Sequence, residues 1–419
     1  MQPLYKETRT RRPNNHTEPR VTATSRLTTI RFRLTLAKVL IIVGTRPEII
    51  KQAPVIEEAK RQGLDFLFVT TGQHYDYGLC MRFIDEMGLP PPDHRIHLVK
   101  RDPVEQMAEM MVSLKKIVEG ERDPLLLVEG DTNTVAATAI VGRKLSLTVG
   151  HVEAGLRSFD WRMPEEHNRI MVDHLADILF APTEPSRQNL LRERVHGNIH
   201  VTGNTVIDAA IRNTPLAVKQ SKIRNTIRFE KYVLATAHRA ENVDDAAVLA
   251  NLVEAMIDSP LPVVFPVHPR TDKMLKRFAL RTRLERSKNV QLLPPLGYFD
   301  FLVLLKNCSL AITDSGGIQE EATAPPIRKP VLVLRVSTER PEAVKFGFAK
   351  VVGVQRDSIL RGIRYAIRQN TVPEGKSPFG DGRAGRRIVD SLLTYRRCLA
   401  YPVGLEKANL GLRPTASES

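Results

Sequence analysis

Leu310-Ala-Ile-Thr-Asp-Ser-Gly-Gly-Ile-Gln-Glu-Glu-Ala322 reads as a short apolar strand, a Ser-Gly-Gly turn and the first turn of a helix carrying two carboxylates. A strand that feeds a glycine turn into a helix N-terminus sets free backbone N–H groups and the positive end of a helix dipole at the carboxyl edge of the strand, where a phosphate fits. Gly316 and Gly317 let the backbone approach such a guest with no Cβ in the way, and Ser315 adds a hydroxyl. Glu321, about one helical turn on, is placed to accept from a sugar hydroxyl. The spacing suggests a nucleotide rather than a bare phosphate, although taken alone it also suits a plain βα turn of any α/β protein.

Working outward, the same strand, turn and helix pattern recurs. Order begins with the β-branched run from Ala37 to Val43, followed by Gly44-Thr-Arg-Pro-Glu48 and an amphipathic stretch to about Arg61. Strands follow at 65–70, 124–128 and 147–152, and helices at 76–87, 103–119 and 134–144. Phe180-Ala-Pro-Thr183 closes this half, and Val201-Thr-Gly-Asn204 with the helix after it reads as a crossover. The pattern restarts with strands at 231–236, 262–267, 289–293 and 330–335, and helices at 244–257, 271–278, 299–306 and 341–346. An amphipathic helix at about 383–397 ends it. Strands alternating with helices imply parallel sheets with right-handed crossovers, whose active edge is the carboxyl end of the strands. The expectation is an α/β protein of two doubly wound, Rossmann-like domains facing a central cleft, at 37–205 and 206–382. Residues 1–36 read as a disordered basic tail, 383–400 as a C-terminal helix packing back toward the first domain, and 401–419 as a second tail.

A chain of 419 residues has room for two such domains. Its formal charge of +15 raises the question of a nucleic-acid partner, but residues 1–36 alone hold eight Lys and Arg against two Glu. With 5% aromatics and no interleaving of aromatic and basic residues, no nucleic-acid partner is expected. Cys80, Cys308 and Cys398 are odd in number, far apart and without a CxxC pair, which reads as reduced thiols in a cytoplasmic protein. No run approaches the roughly 20 apolar residues of a membrane helix, and residues 1–36 lack the apolar core of a signal peptide.

Candidate chemical residues fall at the active edges. Arg46 and Lys51 open the first helix, where cations oppose the dipole unless an anion compensates; a local Glu48–Lys51 pair is the plain alternative. Asp131, Glu153 and the Pro164-Glu165-Glu166 segment bring carboxylates to one sheet edge. Asp131 taken singly suits a helix cap, and Glu165 and Glu166 suit solvated surface. Glu153 differs, because it follows Val-Gly-His-Val at the mouth of a buried strand. His74, His151, His238 and His268 each follow a strand, yet none makes an HxH or HExxH spacing, so no metal is expected. His238 beside Arg239 suits a diphosphate contact, with a core histidine as the alternative.

Taken as an ordered set, these segments are specific. Gly44-Thr-Arg-Pro-Glu48 with Lys51, Gly130-Asp-Thr132, Gly150-His-Val-Glu-Ala-Gly-Leu-Arg157, Pro164-Glu-Glu166 with Asn168-Arg169, and Thr202-Gly-Asn-Thr-Val-Ile-Asp208 come first. His238-Arg239 with Glu241-Asn242, Thr313 to Ala322, and Glu339-Arg-Pro-Glu342 follow. Over about residues 38–395 the chain resembles the non-hydrolysing UDP-N-acetylglucosamine 2-epimerases. The resemblance implies a glycosyltransferase-B-like fold and reversible inversion at C2 through elimination of UDP to 2-acetamidoglucal and re-addition. It implies Asp131, Glu153 and Glu165 for proton transfer, with His238 in the catalytic set beside Arg46 and Lys51 on the sugar and diphosphate. Ser315, Gly316, Gly317, Glu321 and Arg340 match its nucleotide contacts, and Phe301 the aromatic beside the uracil. It further implies a UDP-sugar substrate, no cofactor and a homodimer. Two departures stand out: Thr323 to Lys329 is slightly longer than usual, and Leu296 to Phe301 lacks the glutamine that many bacterial members place near the uracil. The motifs say little about C3 and C6 of the sugar, so a 2-epimerase for a UDP-2,3-diacetamido uronic acid is a competing reading. A glycosyltransferase of the same fold is a third, but it would not need three clustered carboxylates.

Overall fold

Val39–Val43 and Leu125–Glu129 are buried at every position, the pattern of parallel strands covered by helices on both faces. They pair in register, Val39 against Leu125, at the middle of the first of two sheets in a computed structural model that describes residues 38–73, 77–369, 372 and 375–400. The basic N-terminal segment, His74 and the segment after residue 400 lie outside the described residues. The described residues all fall within one compact unit.

The first sheet comprises β1 (Val39–Val43), β2 (Phe66–Thr70), β3 (His94–Arg95), β4 (Leu125–Glu129), β5 (Val149–Val152), β6 (Ile178–Ala181) and β7 (Asn198–Val201), in the order β3-β2-β1-β4-β5-β6-β7. The second comprises β8 (Val233–Thr236), β9 (Val263–Pro266), β10 (Val290–Leu293), β11 (Leu310–Thr313), β12 (Val331–Val333) and β13 (Ala349–Val351), in the order β10-β9-β8-β11-β12-β13. Every pairing between these strands is parallel. Strand order reverses between β1 and β4 in one sheet and between β8 and β11 in the other. Such switch points open a crevice beyond the strand ends. The turns carrying Arg46, Asp131, His238 and Ser315 all lie there.

One apolar cluster runs from β1 through the Thr205–Gln220 helix to the Tyr298–Asn307 helix and β11, so both sheets lean on a shared core. The C-terminal helix, Ala384–Ala400, packs on Arg46–Gln62 and Thr205–Gln220, and Asp208 accepts from the Gly385 N–H at 2.9 Å. Among the described residues no helix is long and apolar enough to cross a membrane.

Most elements read from periodicity recur within two residues of their expected bounds. The Pro103–Glu119 helix matches at both ends because its signals are local: Asp102 accepts from the Val104 and Glu105 N–H groups, proline occupies the first turn, and Gly120 follows. His151 lies inside β5 and not after it.

Candidate active site

Beyond β1 the chain turns through Gly44 and Thr45 into the Arg46–Gln62 helix. Glu48 closes that start, accepting from the Gly44 N–H at 2.7 Å and the Thr45 hydroxyl at 2.8 Å, much as in a capping box. Burial pushes its carboxyl up to about 7 against those two bonds. Glu48 is thereby occupied, and the local Glu48–Lys51 pair does not form. Lys51 instead reaches Glu129 at the end of β4, at 3.0 Å, and Glu153 just past β5.

Glu153 is the centre of the site. Its φ of +69° places a residue with a side chain in the left-handed region, a conformation that costs of order 1–3 kcal/mol and persists only where its surroundings enforce it. One carboxylate oxygen takes Lys51. The other takes Arg340 from the second lobe at 2.6 Å and Asn204 at 3.2 Å. Arg340 and Asn204 also hold Glu320, at 2.5 and 2.9 Å. Two buried cations thus face three buried carboxylates, and protonation meets the difference. Burial favours the neutral form of all three. At Glu153 Lys51 and Arg340 overcome it and hold the carboxyl well below the usual range. At Glu129 burial prevails over Lys51, with the Glu153 charge adding to it, and its carboxyl sits well above that range. Glu320 is pushed up to about 7 by burial, against Arg340.

Asp131 does not cap the Asn133–Lys144 helix, whose N-cap is Thr132; Arg169 claims its carboxylate at 2.6 Å. Glu166 is not solvated surface. It is 1% exposed, accepts from the Ser158 and Phe159 N–H groups and the Ser158 hydroxyl, and pairs with Arg169 at 2.6 Å. Glu165 is half-buried beside it in the first turn of the Pro164–Leu175 helix.

In the second lobe Asp314, at the end of β11, accepts from the His238 and Arg239 N–H groups, both at 2.9 Å, and from Asn242. It lies 3.1 Å from Nδ1 of His238, whose side chain is 38% exposed and so not a core histidine. Burial alone would raise the Asp314 carboxyl, but His238 and those N–H donors hold it well below its ordinary range. Ser315 stands at the N-cap of the short Gly316–Glu321 helix, but its hydroxyl makes no cap bond. The two glycines differ. A Cβ on Gly316 would meet Glu339 Oε1 at 2.7 Å, whereas one on Gly317 would find nothing nearer than the Ser315 hydroxyl at 4.0 Å. Gly316 therefore makes room for Glu339, which Arg239 and Arg335 hold in place, and only Gly317 faces open space. Burial pushes the Glu321 carboxyl up to about 7 against Tyr298 and Arg46. Arg46 itself spans the lobes, donating to the Leu296 carbonyl at 3.1 Å with its guanidinium 4.2 Å over Phe83. Phe301 packs, partly buried, on the shared apolar core.

The structure thus gathers Lys51, Glu153 and Arg340 into direct contact, with Arg46 beside Glu321, and sets Asp131 among the side chains of the Pro164–Leu175 helix. The sequence reading assigns no role to Glu129, Asn204, Glu320 or Glu339. Asn204 and Glu339 lie within motifs that carry the resemblance, Glu320 is the neighbour of Glu321 in a helix too short to expose both, and Glu129 leaves no signal.

The protein-family model for UDP-N-acetylglucosamine 2-epimerase matches residues 57–393. A UDP-N-acetylglucosamine 2-epimerase of Methanocaldococcus jannaschii is 41% identical over 367 residues, covering 85% of this chain and 99% of the relative. A UDP-2,3-diacetamido-2,3-dideoxy-D-glucuronate 2-epimerase of Pseudomonas aeruginosa is 36% identical over 363 residues, with 85% and 99% covered. Among solved structures, the M. jannaschii enzyme in complex with UDP-GlcNAc and UDP superposes with a TM-score of 0.80 at 41% identity, over 85% of this chain and 99% of that one. The Neisseria meningitidis enzyme bound to UDP-GlcNAc gives 0.76 at 33%, over 85% and 100%.

Proposed function

The chain belongs to the UDP-N-acetylglucosamine 2-epimerase family, and from that premise we propose that it inverts C2 of UDP-N-acetylglucosamine to give UDP-N-acetylmannosamine. A base takes the C2 proton as the C1–O bond breaks and its electron pair leaves with UDP, so that 2-acetamidoglucal forms. A UDP oxygen then adds back to C1 while C2 receives a proton on the other face. Such chemistry calls for an acid or base on each face of C2 and cations on the departing diphosphate.

The observation that carries this reading is the strained Glu153, clasped between Lys51 of its own lobe and Arg340 of the other. Asp131, Glu153 and Glu165 are the proton-transfer groups. Arg46, Lys51, His238 and Arg340 serve the sugar and diphosphate, Ser315 and Gly317 the phosphate, Glu321 the ribose and Phe301 the uracil side. As Arg340 passes from the carboxylate to an incoming diphosphate, Glu153 loses a neighbouring cation and becomes a stronger base. Gly316 belongs to the nucleotide turn through its packing on Glu339.

The Pseudomonas relative keeps a second reading in play, a 2-epimerase acting on a UDP-2,3-diacetamido uronic acid. Incubation with UDP-N-acetylglucosamine in deuterated water, followed by NMR of the sugar, decides between them. Deuterium at C2 with the manno epimer, and no added cofactor or metal, is the expected result. No reaction on this sugar, with turnover of the diacetamido uronate, selects the second reading. Stoichiometric release of UDP with free N-acetylmannosamine would overturn both. A homodimer is part of the proposal, supported by Val104 and Val112, 76% and 58% exposed along the Pro103–Glu119 helix, and light scattering tests it. A cytoplasmic location rests on the scattered cysteines.

A further inference from the structure

His151 sits in β5, two residues before Glu153, with 1% of its surface exposed. Its Nδ1 lies 2.7 Å from Asp173 Oδ1 and its Nε2 2.8 Å from the Gly130 carbonyl oxygen. A carbonyl only accepts, and the Asp173 carboxylate is itself surrounded by donors: Oδ2 takes the Gly155 N–H at 3.0 Å and Arg157 at 2.7 Å. Burial would raise the Asp173 carboxyl, but His151 and Arg157 hold it below its ordinary range, so it too is an acceptor. The nitrogen facing the Gly130 carbonyl therefore donates, and the other is held against the Asp173 carboxylate.

These bonds join the two turns that present the reacting carboxylates. Gly130, with a φ of +83°, separates Glu129 from Asp131, and its N–H donates to the Val152 carbonyl at 3.1 Å. Rotation of the Gly130–Asp131 peptide would redirect Asp131, and among the described residues it is the His151 ring that holds that carbonyl. Through Asp173 the same cluster grips Gly155, two residues after the strained Glu153. Asp173 lies seven residues beyond Glu166 and four beyond Arg169 on the Pro164–Leu175 helix, so three side chains at helical spacing serve the turns around Asp131, Glu153 and Phe159.

We propose that His151 is a positioning residue of the epimerisation: held by Asp173, it donates to the Gly130 carbonyl and sets Asp131 against Glu153. The proposal rests on the reading of those two carboxylates as the reacting groups. His151→Gln and Asp173→Asn are compared with the full-length wild type on whichever UDP-sugar the wild type epimerises. Misplacing a reacting group by about 1 Å costs on the order of 10²-fold, so kcat is expected to fall about 10–100-fold in each. KM and the calorimetric affinity for UDP stay within about twofold, and the double variant loses little more than either single one. A purely structural residue would instead lower the unfolding midpoint while kcat per folded molecule stays normal, and that result overturns the proposal. Nitrogen-15 NMR of histidine-labelled wild type provides a readout independent of activity and of the variants' folding. One buried ring should carry a proton on the nitrogen facing the Gly130 carbonyl, and a bare nitrogen there would overturn the geometry whatever the substrate proves to be.

Discussion

The two switch points are built alike and furnished differently. Beyond β1, β4 and β5 the polar side chains are already matched to one another: Lys51 to Glu129 and Glu153, Arg169 to Asp131 and Glu166, His151 to Asp173. Beyond β11 the Ser315 hydroxyl caps nothing and the space over Gly317 is open. The difference teaches that charges meant to act on a reacting carbon are oriented by protein partners, whose dry surroundings strengthen every interaction. At the second edge the Ser315 hydroxyl and the turn at Gly317 are left for a ligand to satisfy.

Breaking the first edge should cost most. Glu153→Gln keeps the shape but cannot exchange a proton, so turnover should fall on the order of 10²–10⁴-fold. UDP affinity, read by calorimetry, should hold or tighten, because Arg340 is released from its carboxylate. A Glu153→Gln protein with normal turnover would remove this edge from the chemistry. At the second edge the glycines separate packing from binding. Gly316→Ala should lower unfolding stability by about 1–3 kcal/mol, the usual penalty for forcing atoms into a filled site, whereas Gly317→Ala should shift it by no more than about 0.5 kcal/mol while weakening UDP. Chemical denaturation beside a UDP titration measures both, and equal stability losses would erase the distinction drawn between them. Ser315→Ala should weaken UDP by about 1–2 kcal/mol, the scale of a lost hydrogen bond to a charged group, without a comparable change in kcat. The smallest effect is a slope. Glu321 binds its proton more tightly folded, at about 7, than at its ordinary 4.5. Its contribution to stability is complete below 4.5 and is lost as the pH rises toward 7. Glu321→Gln should make the fall of the denaturation midpoint across that window shallower; an unchanged slope would place the carboxyl in water.

What the chain discloses locally and what it hides divide along contact distance. The β11 strand, its turn and the helix after it were legible because apolar run, glycines and carboxylates are contiguous. β7 escaped because Asn198-Ile-His-Val201 lies at a sheet edge, three of its four residues exposed, and owes its extension to pairing with β6 rather than to any apolar pattern. The Arg356–Gln369 helix is absent from the sequence reading despite its amphipathic pattern, and the plain reading of Glu166 as solvated surface fails because the buried face of Pro164–Leu175 carries Glu166, Arg169 and Asp173 where apolar residues would have marked it. Within the site, Lys51 meets Glu153 across 102 positions and Arg340 meets it across 187. No spacing rule encodes such pairs, so the members could be nominated while their partners could not.

The chain passes between the lobes twice, once at Gly203 and Asn204 and once on its return through Phe379 and Gly380, and the two passages touch. The Asn204 N–H donates to the Phe379 carbonyl at 2.7 Å, and both glycines hold positive φ, +87° and +131°. Two side-by-side tethers remove most ways in which one lobe can drift from the other and leave a swing about the line through them as the soft coordinate. Asn204 sits on that axle, and its amide binds both Glu153 and Glu320. Two carboxylates tied to one amide on that axle would keep their separation in such a swing, whatever the far rim of the crevice does.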